Sequence, residues 1–193
     1  MELVFCTGNS HKLSEVANIL GDDFSFLTLT DIGYYDEIPE PYNTLEENSL
    51  AKAQQVYKQT GKDCFAEDTG LFIEALNGEP GVFSARYAGQ SSDSLRNIEK
   101  VLEKLKGHKN RAAYFKTIIT LMIKGMIVQF SGQCNGMISE RTSGVKGFGY
   151  DPIFIPEGSE KSFAEQSPEE KNAVSHRRKA FDAMSKYLHT LNS

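Results

Sequence analysis

The chain opens with a strand pattern that turns directly into a helix pattern. Residues 2–7, ELVFCT, form an apolar run typical of a buried strand, and residues 9–20 carry apolar side chains at helical spacing. Gly8 lies between the two patterns, and Gly21 predicts the end of the helix. The apolar face of that helix consists of Leu13, Val16, Ala17 and Leu20. A strand followed at once by a helix favours folds in which the two kinds of element pack in layers.

The same alternation continues along the chain and predicts a mixed α/β fold. Lys124 and Gly125 separate two long runs of strand character, which predicts a hairpin of antiparallel strands. The predicted strands cover residues 2–7, 24–29, 64–76, 111–123, 126–139 and 153–155. The predicted helices cover residues 9–20, 44–60, 94–107 and 167–191. Because no linker interrupts the pattern, we expect one domain, residues 1–193, around a single curved mixed sheet.

Charge and apolar content argue against two classes of protein. The chain has 26 acidic and 21 basic side chains, a net charge of −5, whereas proteins that bind duplex DNA present a basic face to the phosphates. No apolar run approaches the roughly 18 residues of a membrane span, and the N-terminus has no secretory signal pattern. We therefore expect a cytoplasmic protein with no membrane segment and no stable nucleic-acid binding. Any polyanionic ligand must be held by a local cluster of cations.

The three cysteines indicate neither a disulfide framework nor a zinc site. Cys6, Cys64 and Cys134 are odd in number and scattered, without paired spacing. Cys6 and Cys64 each lie in a predicted strand, where cysteine behaves as a small hydrophobic residue. We expect buried thiols and prefer this interpretation to a catalytic thiol.

The Thr-Gly-Asn step at residues 7–9 combines groups that can bind a phosphate. A helix N-terminus offers unpaired N–H groups and the positive end of the helix dipole, and glycine lets an anion approach the backbone. Thr7, Asn9 and Lys12 add a hydroxyl, an amide and a cation. The pattern differs from the P-loop, whose motif is absent from the sequence. The alternative is an ordinary turn in which Asn9 caps the helix and Lys12 points into solvent.

Two adjacent carboxylates stand in the middle of an apolar strand pattern, in AEDTG at residues 66–70. Buried carboxylates persist only when they are paired or bind a metal. Because side chains alternate along a strand, we expect Glu67 and Asp68 to point to opposite faces unless the strand bends at Gly70. Oxygen ligands of this kind suit Mg²⁺, which commonly bridges protein carboxylates to substrate phosphates. The alternative is a turn at a strand end with a solvated acidic pair.

Aromatic and basic residues near the C-terminus could form a purine pocket. GVKGFGYDP, residues 144–152, presents two aromatic rings and a carboxylate on a glycine-rich loop, and KNAVSHRRK, residues 171–179, adds cations near a helix start. A purine needs an aromatic face for stacking and donors and acceptors for its edges. The alternative is a solvated basic helix surface.

Six motifs in order give the chain a resemblance to a known family. They are TGNSHK, TLEENSLAKA, EDTGL, EPGVFSARYAG, GFGYDPIF and KNAVSHR, and together they span nearly the whole chain. In that order they resemble the inosine triphosphate pyrophosphatase family. The resemblance implies a Mg²⁺-dependent enzyme that hydrolyses ITP, dITP and XTP to the nucleoside monophosphate and pyrophosphate. It also implies a homodimer whose α/β subunit has two lobes around an elongated sheet with flanking helices, the active-site cleft lying between the lobes.

The resemblance also implies roles for individual residues. Asp68 matches the catalytic carboxylate, and Asp68 and Glu40 match the metal ligands. Lys12 and Lys52 match lysines that reach the triphosphate, and the positions from Phe148 onward match the base pocket. The complete set of matched substrate-binding residues is Thr7, Gly8, Asn9, Ser10, His11, Lys12, Lys52, Thr69, Phe148, Gly149, Tyr150, Asp151, Lys171, His176 and Arg177.

Two places depart from the family's commonest pattern. Pro41 and Tyr42 stand where the family often has Thr-Gly, which changes the backbone next to Glu40. Glu67 stands where bacterial members frequently have aspartate, and its extra methylene could move the carboxylate from a metal ligand to a supporting position behind the ligands.

The expected reaction is a one-step hydrolysis between the α- and β-phosphates with Asp68 as general base. Selectivity is expected at the purine 6-position, where Arg177 or Lys171 can satisfy a keto oxygen but not an amino group. Two alternatives remain at this stage. One is a related pyrophosphatase that acts on modified pyrimidine nucleotides; the other is a regulatory module that binds nucleotide without hydrolysis, which the presence of Asp68 and Lys12 disfavours.

Overall fold

A computed structural model describes residues 2–20, 25–89 and 93–191 of the chain. Within those ranges the strands are β1 (Leu3–Phe5), β2 (Phe26–Thr28), β3 (Cys64–Ile73), β4 (Pro80–Gly81), β5 (Ala112–Ile123), β6 (Met126–Ile138) and β7 (Phe154–Pro156). The helices are α1 (Ser10–Leu20), α2 (Leu45–Thr60), α3 (Ser94–Lys104), α4 (Pro168–Val174) and α5 (His176–Leu191). The predicted helix end at Gly21 and the predicted strand start at Phe24 lie outside the described residues.

Across the described residues the strands form one mixed sheet in the order β2-β1-β3-β5-β6-β7, with β4 paired to β3. Strand β1 runs parallel to β2 and to β3, and α1 makes the connection from β1 to β2. The pairs β3–β4 and β6–β7 are antiparallel. The predicted mixed α/β fold is therefore confirmed.

The predicted hairpin joins β5 and β6 through Lys124 and Gly125. Both residues have positive φ, 50° and 79°, as a two-residue type I′ turn requires. A connection of two residues between neighbouring strands allows only antiparallel pairing. The two-residue turn predicted from the sequence therefore fixes the antiparallel direction of the two longest strands.

The described chain divides into two compact units. The first contains Met1–Asp68, Thr117–Gly132 and Arg177–Ser193, and the second contains Thr69–Lys116 and Gln133–His176. Strands β3, β5 and β6 contribute residues to both units. In the first unit Phe5 and Phe65 stack with their ring centroids 4.6 Å apart, and α1 and α5 supply apolar side chains to the same core. In the second unit a separate core surrounds Phe115, Phe154 and Phe163.

The single C-terminal helix expected over residues 167–191 is wrong, because the helix is interrupted at Ser175. That residue has extended backbone angles, φ −66° and ψ 149°, and separates α4 from α5. Val174, before the break, packs on the core of the second unit, and Ala180, Phe181, Met184 and Leu188, after it, belong to the core of the first. A helical periodicity alone does not show that its two halves belong to different cores.

Among residues 2–20, 25–89 and 93–191, no helix has the length and apolarity needed to cross a bilayer.

Candidate active site

The Thr-Gly-Asn step forms the N-terminal cap of α1. The backbone N–H of Asn9 donates to Thr7 Oγ1 at 3.2 Å, and Asn9 Oδ1 accepts the backbone N–H of Lys12 at 3.1 Å. Residues 8–11, which include Gly8, Ser10 and His11, are exposed at this end of the helix. The capping interpretation of Asn9 is thus correct, and it leaves the helix N-terminus facing solvent, where an anion can approach.

The side chain of Lys12 does not point into solvent but joins a buried group of charges, here called the Glu67 cluster (Lys12, Glu15, Glu67 and Arg177). Lys12 Nζ lies 3.1 Å from Glu67 Oε1. The Arg177 guanidinium contacts both oxygens of Glu67, with Nε 2.8 Å from Oε2 and Nη2 3.2 Å from Oε1, and its Nη1 lies 2.5 Å from Glu15 Oε2. Arg177 and Glu67 are both almost completely buried.

Opposite charges decide the protonation state of Glu67. Burial alone would raise the pKa of this carboxyl, but the Arg177 guanidinium and the Lys12 ammonium outweigh burial and hold the pKa far below its ordinary value of 4.5. Glu67 is therefore a carboxylate whose two oxygens are already occupied by cations. That arrangement makes Glu67 a structural partner of Lys12 and Arg177.

A second group of charges, the Asp68 cluster (Glu40, Lys52 and Asp68), surrounds the next residue of β3. Lys52 Nζ lies 2.6 Å from Glu40 Oε1 and 3.1 Å from Asp68 Oδ1. Lys52 and Asp68 are buried, whereas the side chain of Glu40 keeps 29% of its accessible surface. Strand β3 continues to Ile73, so Glu67 and Asp68 point to opposite faces and contact different groups of charges, as the alternation predicted.

The Asp68 cluster as defined by its ion pairs has two carboxylates and one cation. Burial raises the pKa of Asp68, and the nearby charge of Glu40 adds to the effect, while Lys52 and Lys12 partly offset it. Burial works against the charge of Lys52 as well, but Asp68 and Glu40 outweigh it, and the pKa of Lys52 is raised. Glu40 and Asp68 both contact the Lys52 ammonium, and two carboxylates this close together suit a divalent cation.

The residues present fit Mg²⁺ on the chemistry of their donors. Within the described part of the chain, no group of three or more His, Cys, Asp or Glu side chains comes together as a metal site. Glu40 and Asp68 could therefore supply two carboxylates and leave the other positions to water and substrate phosphate. Mg²⁺ is commonly bound in this way, because it loses its waters reluctantly.

In the second unit the predicted base-binding residues gather around a buried ion pair. Lys171 Nζ lies 2.8 Å from Asp151 Oδ2, and the same oxygen accepts the backbone N–H of Phe148 at 2.9 Å. The Lys171 ammonium also lies 5.3 Å from the centroid of the Phe148 ring, within reach of a cation–π contact. The loop thus presents an aromatic ring, a cation and an acceptor close together.

The glycines of this loop have a steric role. Gly147 has φ +72°, and a Cβ built there would lie 2.0 Å from Asp151 Oδ2. The carboxylate of Asp151 therefore occupies the space that a side chain at residue 147 would need. Gly149 also has a positive φ, 62°, which lets the chain turn between Phe148 and Tyr150.

Tyr150 and His176 are held by the interior of the second unit. The Tyr150 hydroxyl donates to the carbonyl of Ser84 at 2.8 Å, and burial raises the pKa of this phenol, with the charge of Tyr87 adding to the effect. The His176 ring stacks on Phe115 with centroids 4.6 Å apart and planes 18° apart. Thr69, the residue after Asp68, is half-buried in β3.

The structure brings the predicted residues together in two groups. The first unit contains the phosphate turn, Glu40, Lys52, Asp68 and Arg177, and the second contains Thr69 and the other residues of the predicted base pocket, from Phe148 to His176. Arg177, which the resemblance placed with the base pocket, makes its ion pairs with Glu67 and Glu15.

Two partners in these groups were missed by the sequence reasoning, Glu15 and Asn48. Glu15 is three residues after Lys12 on α1, a spacing that brings side chains of a helix close together. That spacing was the signal available for Glu15. Asn48 is buried on α2 and contacts Asp68, and nothing local in the sequence marked it.

Similarity to known proteins extends over nearly the whole chain. Residues 3–187 match the model of the Ham1 family. A curated dITP/XTP pyrophosphatase of Flavobacterium johnsoniae is 47% identical over 180 residues, 93% of this chain and 94% of the relative. A curated protein with the same name in Porphyromonas gingivalis is 44% identical over 188 residues, 97% of each chain.

Solved structures of Ham1 proteins are also similar to this chain over nearly its whole length. A HAM1 protein from Coxiella burnetii has a TM-score of 0.90 and 39% identity, and covers 98% of this chain and 99% of its own. The Staphylococcus aureus Ham1 protein has a TM-score of 0.89 and 35% identity with the same coverage. The family resemblance indicated by the six motifs is thereby confirmed, and this chain belongs to the Ham1 family.

Proposed function

We propose that this protein hydrolyses non-standard purine nucleoside triphosphates, ITP, dITP and XTP, to the nucleoside monophosphate and pyrophosphate. The name dITP/XTP pyrophosphatase, carried by relatives at 44–47% identity and nearly full coverage, supports the substrate class. The structural observation that carries the proposal is the Asp68 cluster, in which a buried carboxylate of β3 is held by a lysine beside a second carboxylate. In this proposal, the hydrolysis removes these nucleotides from the cellular pool.

The chemical step uses Asp68 as general base. Asp68 takes a proton from water while the water oxygen forms a bond to the α-phosphorus, and the bond between that phosphorus and the bridging oxygen of the β-phosphate breaks. Pyrophosphate leaves with the electron pair of that bond, and its charge is stabilised by Lys12 and Lys52 together with the exposed N–H groups at the start of α1. No covalent intermediate is required.

Mg²⁺ is the cofactor in this proposal, held by Glu40 and Asp68. When bound, it supplies Lewis-acid polarisation of the phosphate oxygens. Lys52 lies against both carboxylates and keeps them close together, which lowers the cost of bringing two negative groups to one place. The lysine thus prepares the arrangement of carboxylates that the reaction needs.

Purine selectivity in this proposal depends on Lys171 and the loop around Phe148, both of the second unit. Phe148 stacks on the base, and cationic donors satisfy the keto oxygen at the purine 6-position. Adenine places an amino donor at that position, so it would oppose another donor and be rejected. We expect ITP to be hydrolysed much faster than ATP. Guanine has the same keto oxygen, so the expected preference for ITP over GTP rests on its 2-amino group finding no partner or no room.

Two further parts of the proposal concern the protein's surroundings. We propose that it acts as a homodimer and in the cytoplasm, on small nucleotides and without stable nucleic-acid binding. The acidic net charge of −5 supports the last point, because it disfavours contact with a phosphate backbone.

The test is pyrophosphate release from ITP, XTP, dITP, GTP, ATP and dTTP, measured with and without Mg²⁺. We expect metal-dependent release from ITP, XTP and dITP and little from the others. Equal release from dTTP would favour a pyrimidine enzyme. Binding of ITP without any release would support the pocket and contradict the catalytic role.

A further inference from the structure

Asn48 is a buried polar residue of α2 that stands outside the residues assigned to the site by the family resemblance. Its side chain is inaccessible to solvent. It precedes Lys52 by four residues, so the two side chains lie on the same face of the helix. A buried amide needs hydrogen-bond partners, and the partners of Asn48 indicate what the residue does.

The Asn48 amide binds Tyr42 and Asp68, at the edge of the Asp68 cluster. Asn48 Oδ1 accepts the backbone N–H of Tyr42 at 2.9 Å, and Asn48 Nδ2 donates to the carbonyl of Tyr42 at 3.2 Å. The same nitrogen donates to Asp68 Oδ2 at 3.3 Å. One side chain therefore binds both polar groups of the Tyr42 backbone and one oxygen of the proposed general base.

The attachment of Tyr42 also restricts Glu40. Pro41 lies between the two residues, its ring holds its own φ near −65°, and it biases the preceding residue toward extended angles. With Tyr42 held at both backbone groups, the segment that carries Glu40 has little freedom to move away from Asp68. This is also the place where the chain has Pro-Tyr instead of the commoner Thr-Gly.

We propose that Asn48 is a positioning residue that holds the Glu40 segment and the Asp68 carboxylate at a fixed spacing. The proposal rests on the proposed function, since it assigns these two carboxylates to the reaction. Asn48 acts through them and does not touch the substrate. Only an amide offers an acceptor to the Tyr42 N–H and donors to two further oxygens; aspartate would keep the acceptor, lose both donors and face Asp68 with a like charge.

The test compares Asn48→Ala and Asn48→Asp with Ser49→Ala. Ser49 is the matched control because it is the next residue of α2, is also inaccessible to solvent, and is also hydrogen-bonded, to Thr120 at 2.8 Å and to the carbonyl of Glu46 at 3.1 Å. We expect both Asn48 variants to lower kcat for ITP at least about tenfold and to raise the Mg²⁺ concentration for half-activation, with a much smaller change in KM for ITP. Ser49→Ala should lower Tm and leave kcat within about twofold of wild type.

Two readouts separate positioning from a loss of stability. The first is hydrogen exchange of the Tyr42 backbone amide in the metal-free and nucleotide-free protein, which should be at least about tenfold faster in Asn48→Ala and unchanged in Ser49→Ala. The second is a double-mutant cycle with Glu40→Gln. If Asn48 acts by holding Glu40, the effect of Asn48→Ala on half-activation by Mg²⁺ should largely disappear when Glu40 is already neutralised.

Each outcome decides the proposal. Unchanged exchange at Tyr42, a fully additive cycle, or a loss confined to Tm in both Asn48→Ala and Ser49→Ala would overturn it. If Asn48→Ala does not fold, Asn48→Asp, which has nearly the same shape, carries the same measurements. If wild type releases no pyrophosphate, the proposed function fails, and the Tyr42 exchange alone then decides whether Asn48 anchors the segment.

Discussion

Two neighbouring residues of β3, Glu67 and Asp68, each lie at the centre of a group of charges, and their pKa values are shifted in opposite directions. The Glu67 cluster has two carboxylates and two cations, and the pKa of Glu67 falls because the cations outweigh burial. In the Asp68 cluster, burial and the charge of Glu40 outweigh the charges of Lys52 and Lys12, and the pKa of Asp68 rises. One residue step along the strand therefore reverses the direction of the pKa shift.

This difference shows how one strand can support both structure and chemistry. The Glu67 carboxylate is paired with two cations, so its removal would leave buried charges without their partner. The Asp68 carboxylate, whose pKa is raised, is better able to accept a proton. We therefore expect changes at Glu67 to act mainly on stability and changes at Asp68 mainly on turnover.

The largest expected effect is that of Asp68→Asn on catalysis. The amide keeps the shape of the side chain but cannot accept the proton, so we expect kcat for ITP to fall by about 10² to 10⁴, with nucleotide binding retained. The measurement is pyrophosphate release together with calorimetric binding of ITP. A kcat close to wild type would remove Asp68 from the chemistry.

Glu67→Gln should have its main effect on stability. The change leaves Arg177 and Lys12 facing a neutral amide in a buried site, which typically costs about 3–5 kcal/mol. The measurement is denaturant unfolding. The matched control is Asp182→Asn, which breaks the half-exposed ion pair between Arg178 and Asp182 on α5 and should cost at most about 1 kcal/mol.

If Glu67→Gln proved no more costly than Asp182→Asn, the view of the Glu67 cluster as a balanced structural group would be wrong. If it instead abolished the response to Mg²⁺ without loss of stability, Glu67 would have to be reassigned as a metal ligand.

Gly147→Ala tests a third charged pair, Asp151 and Lys171 of the second unit. The new Cβ would displace the Asp151 carboxylate, so we expect a loss of roughly 2–3 kcal/mol and a raised KM for ITP. Gly33→Ala is the control, because Gly33 has nearly the same φ, +69°, and no atom within 4 Å of an added Cβ. The loss of stability in Gly33→Ala measures backbone strain alone, about 1–2 kcal/mol. An equal loss of stability in both variants would show that the contact with Asp151 is unimportant.

The smallest expected effect is a difference in the pH dependence of stability. The ion pairs of Glu67 add their full contribution to the free energy of unfolding above the ordinary pKa of 4.5. This contribution is lost as the pH falls through the lower pKa of Glu67 in the folded protein. Asp68 has the opposite sign: its folded pKa lies above the ordinary 3.8, so the folded protein takes up the proton first and gains stability as the pH falls through the raised value.

The measurement is Tm between pH 7 and pH 3. Relative to wild type, we expect a weaker fall of Tm with acid in Glu67→Gln and a stronger fall in Asp68→Asn. The same slope in all three proteins would mean that the two clusters do not differ in the way proposed.

The sequence by itself determined the class of fold and the family. The change from strand to helix spacing at residues 2–20, the Lys124–Gly125 turn and the alternation along β3 are local patterns, and each predicted its element or its direction correctly. The six motifs identified the family for the same reason, because each lies within a short stretch of chain. Local patterns predict the type of element because backbone preferences act over a few residues, as does the repeat at which side chains return to the same face of a helix or strand.

Only the tertiary structure decided which charges meet. Arg177 is separated in sequence from Glu67 by 110 residues and from Glu15 by 162, and no local spacing predicts such pairs. The break at Ser175 and the attachment of Tyr42 to Asn48 likewise depend on which core or segment packs alongside. The pKa of a buried carboxylate depends on its desolvation and on every charge nearby, and both exist only once the chain has folded.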